Sequence, residues 1–291
     1  MPETTSAHSY NPFSRRDQYQ TQSIVVYKIA TVITWLLFVI TALYYTFESP
    51  HEGHKPRRKI WKQNSHHPSP FALNEVITSI YWIVLWILQG GYCYHFYLQD
   101  SVYVTAAANV GSHFIANNLL LFGFVHLWVR SHFWLALLLI VINFFNLSSA
   151  YFRHPTTPRF IHIPVVSGPL AFNFVALFWV GAAAVHAHNL PARIVANIFI
   201  WSFLGYGLFF LSVYKDYTMG FELSVLSAAL GVGQFFTRVI ALQWEFAFAI
   251  MAALFLLSWA VAFPQVLGRD PFKRGEIVSE DRERAPLLAD E

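Results

Sequence analysis

The sequence predicts an all-α fold, namely a polytopic integral membrane bundle of about eight transmembrane helices. Of the 291 residues, 56% are hydrophobic and only 12% are charged, whereas globular domains that face water carry about 25% charged residues. Aromatic residues make up 18% of the chain, which suits helices whose Trp and Tyr side chains lie at membrane interfaces. The apolar runs are continuous rather than alternating, which argues against a membrane-spanning strand barrel.

Eight apolar runs are long enough to cross a bilayer, because a spanning helix needs about 20 mostly apolar residues. The candidate spans are residues 23–47, 72–98, 103–129, 131–152, 162–187, 191–214, 217–242 and 246–267. Most connections between them are short, which makes consecutive helices antiparallel neighbours. We therefore expect one domain, residues 23–267, which includes a long basic loop at residues 48–71. Polar tails at residues 1–22 and 268–291 are predicted to be disordered.

Polar side chains recur inside the predicted spans. They should face the bundle interior, because an unsatisfied polar group in lipid costs several kcal/mol. One interpretation is hydrogen bonding between helices, worth about 0.6 kcal/mol for each pair. The other is a hydrated cavity that binds or conducts a small molecule or ion. The candidate cavity residues are Glu75, His113, Asn117, Asn118, Asn143 and Asn173.

Glu75 differs from the other candidates because it lies at the start of the second span. It is a candidate for a proton-linked gate. Equally, a carboxylate at a helix N-terminus near the interface is stabilised by the helix dipole. The sequence leaves both interpretations open.

Three histidines, His126, His186 and His188, gather near one surface if the spans alternate in direction. They are candidates for pH sensing, because histidine titrates between pH 5 and 8. The alternatives are plain interface histidines or a metal site, but no His-Glu-x-x-His motif is present. We expect no metal and no cofactor: there is one cysteine, no phosphate loop and no obvious pair of haem-binding histidines.

Other classes of function find no support in the sequence. No combination of nucleophile, base and metal suggests an enzyme, and no motif suggests a nucleic-acid partner. The leading expectation is a multi-pass membrane protein that binds or transports a small molecule or ion through a polar cavity in the middle of the membrane. The alternative is a membrane sensor, scaffold or assembly partner that transports nothing, in which the polar side chains only join helices.

The C-terminal tail contains the stretch ERAPLL, in which Glu283 precedes the pair Leu287 and Leu288 by the spacing of an acidic dileucine motif. Cytosolic sorting adaptors read such motifs, so clathrin-adaptor complexes are candidate partners. The motif is short, and a chance match is the alternative. If it works, both termini are cytosolic and the protein resides in the vacuole or another endomembrane; the plasma membrane is the alternative location. Lys and Arg are too evenly divided between the two sides for the positive-inside rule to decide the orientation.

Two stretches carry a family resemblance. RSHFWLALLLIVINFFNLSSAYFRHPTTPRFIHIPVVSGPLAF and YKDYTMGFELS, the latter followed by ALGVGQF, resemble an uncharacterised family of fungal multi-pass membrane proteins, catalogued as a domain of unknown function. This resemblance implies a membrane fold and a fungal setting, but no activity.

A more distant resemblance involves PSPFALNEVITSIYWIVLWILQ and SGPLAFNFVALFWVGAAA. Their pattern of aromatics and prolines is similar to tryptophan-rich sensory and translocator proteins, which bind porphyrin- or sterol-like ligands in a helical bundle. The pattern contains no binding motif, so it identifies no ligand-binding residue in this chain.

Overall fold

A computed structural model describes residues 11–51, 57–98, 100–154, 157–237 and 242–266, and these residues form helices and no strand. Eight helices are long and apolar enough to cross a membrane. They are α1 (Thr21–Phe47), α3 (Glu75–His95), α4 (Ser101–Val129), α5 (Phe133–Arg153), α6 (Arg159–Ala184), α7 (Leu190–Tyr214), α8 (Tyr217–Phe236) and α9 (Gln243–Val266). A short helix, α2 (Ile60–His66), lies between α1 and α3.

The all-α fold and the set of eight long apolar helices confirm the prediction from the sequence. Each candidate span corresponds to one helix, with ends that differ by a few residues. The largest difference is at α8, which was predicted to continue to residue 242 but ends at Phe236. The bundle has two ends, a tail side and a loop side. The tail side holds the beginning of α1, and the loop side holds α2.

Helix α6 forms the centre of the bundle and contacts α3, α4, α5 and α8. Its side chains are buried around the whole circumference, as at Leu170, Val175 and Val180. By contrast, α1 and α9 expose rows of large apolar side chains, such as Ile40 and Leu256. A helix that is apolar on every side is therefore either central or faces outward, and α6 alone among these three is central.

The backbone of α6 departs from regular geometry near two prolines, and other side chains compensate for it. Residues Ile163–Ser167 form a π-helical segment, and Pro164 and Pro169 have no N–H to donate. Gln89 of α3 donates to the Pro164 carbonyl at 3.0 Å, and Tyr81 donates to the Gly168 carbonyl at 2.7 Å. These two hydrogen bonds join α3 to α6 beside the π-helical segment.

The basic loop folds onto the bundle rather than extending from it. The Asn64 side chain accepts a hydrogen bond from Trp179 Nε1 at 2.7 Å, and Gln234 Nε2 of α8 donates to the Ser69 and Ala72 carbonyls at 3.1 and 3.0 Å. Gly233 lies directly beneath this segment, and a Cβ there would come within 2.6 Å of the Ala72 carbonyl oxygen. Close backbone contact with α8 therefore fixes the loop.

Part of the N-terminal tail also contacts the bundle. The sequence predicts a disordered tail at residues 1–22, whereas α1 begins at Thr21 and residues of the preceding segment bond to α4. Asn109 of α4 accepts hydrogen bonds from the Arg16 N–H at 2.8 Å and the Tyr19 hydroxyl at 3.0 Å, and it donates to the Arg16 carbonyl at 3.1 Å. One buried amide therefore anchors residues 16–19 on the tail side.

Candidate functional site

Asn143 on α5 lies at the centre of a buried network of amides. Its Nδ2 donates to Asn117 Oδ1 on α4 at 2.9 Å and to Asn173 Oδ1 on α6 at 3.1 Å. One turn along α5, Asn146 Nδ2 donates to the His113 carbonyl at 3.0 Å, and Asn146 Oδ1 lies 2.9 Å from His113 Nδ1. The network joins three helices, and its members Asn117, Asn143 and Asn173 are fully buried.

Four of the predicted cavity residues, His113, Asn117, Asn143 and Asn173, thus lie in this network, where hydrogen bonds connect them to one another or through Asn146. Asn118 is separate, since its amide donates to the Phe114 carbonyl of its own helix at 3.0 Å. The network is not saturated, because Asn117 Nδ2 and His113 Nε2 are buried without a hydrogen-bond partner among the described residues. Whether these side chains bind a ligand stays a prediction.

The tail-side end of the network is covered by the N-terminal segment. The ring centroids of Phe13 and His113 lie 4.9 Å apart, and those of His113 and His154 lie 5.8 Å apart. Burial, together with the nearby His113, Arg15 and Arg153, lowers the pKa of His154 to about 4. His154 is therefore neutral at physiological pH, and a proton there would be repelled by the surrounding cationic groups.

A second buried polar cluster has Asp216 at its centre, in the turn between α7 and α8. Asp216 Oδ2 accepts hydrogen bonds from the Tyr151 hydroxyl at 2.8 Å and from His162 Nε2 at 3.0 Å. Its Oδ1 caps α8 by accepting from the Thr218 and Met219 N–H groups at 3.0 and 3.1 Å. Burial acts to raise the pKa of Asp216, but the charge of His162 and the hydrogen bonds hold it below its usual range.

The cluster continues from Asp216 into the bundle. Thr218 Oγ1 donates to Asp216 at 2.6 Å and lies 3.5 Å from Ser167 Oγ, and Ser167 donates to Glu222 at 3.0 Å. Asp216 was not among the site residues predicted from the sequence. The motif that could have indicated it is Asp-Tyr-Thr at the start of a span, since Asp is a preferred N-cap residue. Its pairing with His162 depends on the packing of α6 against α8.

A pocket of about 730 Å³, called here the aromatic pocket, lies between α1 and α3 toward the loop side. Aromatic rings from four helices form its walls: Phe38, Trp82, Trp86, Phe124, Phe172 and Trp179. Lys59, Lys62 and Glu75 also line it, as does the face of α2 that contains Trp61. The indole Nε1 of Trp86 is buried without a hydrogen-bond partner among the described residues.

Glu75 therefore lies apart from the other predicted cavity residues. It is the first residue of α3, its side chain is exposed, and the other five candidates do not line the aromatic pocket. Asn74 caps the same helix by accepting from the Val76 and Ile77 N–H groups, both at 3.1 Å. This position agrees with a carboxylate stabilised by a helix N-terminus, and it also places Glu75 beside a pocket.

Of the three predicted pH-sensing histidines, His186 and His188 line a common pocket and His126 does not. His186 and His188 follow α6 and line one small pocket together with His66 and His67 from α2 and its C-cap. His126 is oriented differently, since its Nδ1 lies 3.0 Å from the Phe122 carbonyl and its ring packs against Tyr45. Among the described residues, no group of three or more His, Cys, Asp or Glu side chains could hold a metal ion.

The dileucine motif lies outside the described residues, so Glu283, Leu287 and Leu288 stay a prediction from sequence.

Comparison with known proteins supports the family resemblance over part of the chain. A family model described as a fungal protein of unknown function (DUF1774) matches residues 193–288. An uncharacterised protein of Schizosaccharomyces pombe is 32% identical over 109 residues, which is 38% of this chain. The match also spans 38% of the length of that relative. The expected resemblance to an uncharacterised fungal family is thus confirmed, whereas these matches give no support to the resemblance to tryptophan-rich translocators.

No solved structure matches the chain.

Proposed function

We propose that this is a multi-pass membrane protein that binds a small amphiphilic molecule in the aromatic pocket. The eight long apolar helices support the membrane location. Outward-facing apolar side chains on α1 and α9 support it further, because contiguous patches of this kind would be unstable in water. The observation that carries the binding proposal is the pocket itself, since its volume of about 730 Å³ lies in the range of small-molecule sites.

The chemistry of the lining suggests the type of ligand. The rings in the walls favour an apolar body. Lys59, Lys62 and Glu75 are the charged residues of the lining, and all lie on the loop side, where a polar head group would meet water. A molecule with one head group and one apolar body matches this division.

The position of the pocket suggests that the ligand enters from the bilayer. Leu43 of α1 and Val76, Ile80 and Ile83 of α3 line the pocket, and each is at least 41% exposed. We infer from these exposed apolar side chains that the gap between α1 and α3 opens toward the bilayer. A ligand dissolved in lipid could enter through it without crossing the loop-side surface.

Photoaffinity labelling of the full-length protein in membranes with a diazirine-bearing fatty acid tests this proposal. Ser79→Trp would fill the pocket, because Ser79 lines it. Ile87→Trp is the matched control, since Ile87 lies on the same helix but is 70% exposed on the outer face. We expect labelling of peptides from α1 and α3 to fall strongly in Ser79→Trp and to persist in Ile87→Trp. Equal labelling of both variants would mean that the probe reports only surrounding lipid, and the proposal would be wrong.

Transport of a small molecule or ion through the amide network is the second candidate function. The observation that favours it is the unused hydrogen-bonding capacity of Asn117 Nδ2, Asn118 Oδ1 and His113 Nε2, which are buried without a partner among the described residues. In this case His113→Ala and Asn117→Ala should abolish flux while the protein still reaches its membrane. Unchanged flux in both variants would leave the network with a structural role only, as in a sensor or scaffold.

We further propose that both termini are cytosolic and that the protein resides in a vacuolar or other endomembrane compartment. The support is the tail motif at Glu283, Leu287 and Leu288, which clathrin-adaptor complexes would bind. A tagged Leu287→Ala/Leu288→Ala double variant should then move to a different membrane. The same location for the variant and the wild type would make the motif a chance match.

A further inference from the structure

A concave, strongly basic surface on the loop side has no role in the proposals above. It is a pocket of about 530 Å³ whose lining includes Arg57, Arg58, His67, Arg130, Ser131 and His186. We call it the basic pocket. Within the described part of the chain, its lining contains three arginines and four histidines and no acidic residue.

Four separate elements bring these cations together. Arg57 and Arg58 precede α2, and the Arg58 N–H donates to the Val129 carbonyl at the end of α4 at 3.4 Å. Hydrogen bonds fix the position of the Arg130 guanidinium, which donates to the Tyr45 hydroxyl at 3.4 and 3.5 Å and to the His126 carbonyl at 3.2 Å. Folding thus places these basic side chains close together, where they attract an anion.

The side chains around His67 also make this pocket electropositive. Its ring lies 4.8 Å from Phe133 and 6.2 Å from His186. Burial lowers the pKa of His67, and the cationic forms of His66, Arg58 and His186 lower it further. Among the described residues, the charged neighbours that act on the pKa of His67 are all basic.

Hydrogen-bond donors converge on the same place. Helix α5 begins at Phe133 with no side-chain cap, and Phe133 and Trp134 line the pocket. Uncapped N–H groups at a helix start attract anions and add to the effect of the arginines. Ser131 Oγ accepts a hydrogen bond from Gln63 Nε2 at 2.6 Å, which leaves its own hydroxyl proton available to donate to a ligand.

We propose that the basic pocket binds a phosphomonoester dianion, presented either by a lipid head group or by a soluble phosphate compound. Arginine suits this ligand because its planar guanidinium can donate two parallel hydrogen bonds to phosphate oxygens. The pocket lies at the level where α4 and α6 end and α5 begins, which is also where lipid head groups would lie. The proposal is independent of ligand binding in the aromatic pocket.

The test uses the full-length protein in lipid nanodiscs and measures binding in two arms. In the first arm, nanodiscs of phosphatidylcholine are titrated with inorganic phosphate and with glycerol phosphate by calorimetry. In the second arm, native mass spectrometry measures retention of phosphatidic acid against phosphatidylcholine. Preferential retention of phosphatidic acid, with weak binding in the first arm, would identify a lipid head group. Tight binding in the first arm would identify a soluble ligand.

Arg58→Gln and His186→Gln are the site variants, and Arg130→Gln is a third that also loses its contacts with Tyr45 and His126. Arg159→Gln on the tail side, whose guanidinium lies 4.9 Å from the Tyr217 ring centroid, is the matched control for loss of charge. A charge-assisted hydrogen bond to phosphate is worth enough that Arg58→Gln should weaken binding about tenfold or more. Absence of binding in both arms, or an equal loss in Arg159→Gln, would overturn the proposal.

Discussion

The polar groups of this protein are arranged in two contrasting ways. In the interior, around Asn143 and Asp216, most polar atoms bond to other protein atoms. The single carboxylate of Asp216, for example, accepts hydrogen bonds from the side chains of Tyr151, His162 and Thr218. On the loop side, by contrast, the residues of the aromatic and basic pockets surround open space of about 730 and 530 Å³.

This difference separates stabilising contacts from binding candidates. A buried polar group that already has its partners contributes to folding, and a ligand could reach it only by displacing those partners. Side chains that line open space can bind a ligand without first losing their contacts within the protein. Substitutions in the interior should therefore lower stability first, whereas substitutions in the two pockets should lower binding and leave stability almost unchanged.

The largest effect on stability is expected from Asp216→Ala. The substitution leaves His162 and Tyr151 buried without their acceptor and removes the cap of α8. Each buried polar group that loses its partner costs about 1–3 kcal/mol, and loss of the helix cap costs about 1 kcal/mol more. Denaturant unfolding of the purified protein in detergent should show this loss, and Asp17→Asn, at an exposed position, should show almost none. If Asp216→Ala unfolds at the same denaturant concentration as the wild type, this cluster does not stabilise the fold and the expectation is wrong.

The helices, but not this cluster, could be predicted from the sequence. Spans such as α4 and α7 are read directly from continuous apolar runs, because the length of such a run reflects the thickness of a bilayer. The pairing of His162 with Asp216 joins residues 54 positions apart and depends on how α6 turns at its π-helical segment. No periodicity within one helix contains that information.

A smaller loss of stability is expected from Asn143→Ala. The variant removes the donor to both Asn117 and Asn173, and leaving buried polar partners unsatisfied costs about 1–3 kcal/mol. Asn118→Ala is the control, because the Asn118 amide bonds within its own helix and joins no second helix. Thermal unfolding in detergent compares the two. If Asn143→Ala unfolds like the wild type but loses flux, the network would be a transport site, and the contrast between interior and pockets would fail.

The amide network also shows the limit of predicting a site from sequence. The spacing of His113 and Asn117, four residues apart, places both on one face of α4, and both are buried, as are Asn143 and Asn173. The spacing could not show whether these side chains meet one another or a cavity. The aromatic pocket was missed because its lining comes from four helices and α2, whose mutual arrangement is a property of packing.

The smallest effect is expected from pH, and it concerns the junction between the N-terminal segment and the bundle. The pKa of His154 is about 4 in the folded protein, against about 6.5 for an ordinary histidine. The unfolded chain therefore binds more protons between these values, so His154 lowers stability as the pH falls from about 6.5 toward about 4. His154→Gln cannot take up this proton. Its unfolding temperature in detergent should consequently fall less than that of the wild type between pH 7 and pH 5. Parallel pH profiles would mean that His154 is already solvated, and that Phe13 and Arg15 do not enclose the tail-side end of the network.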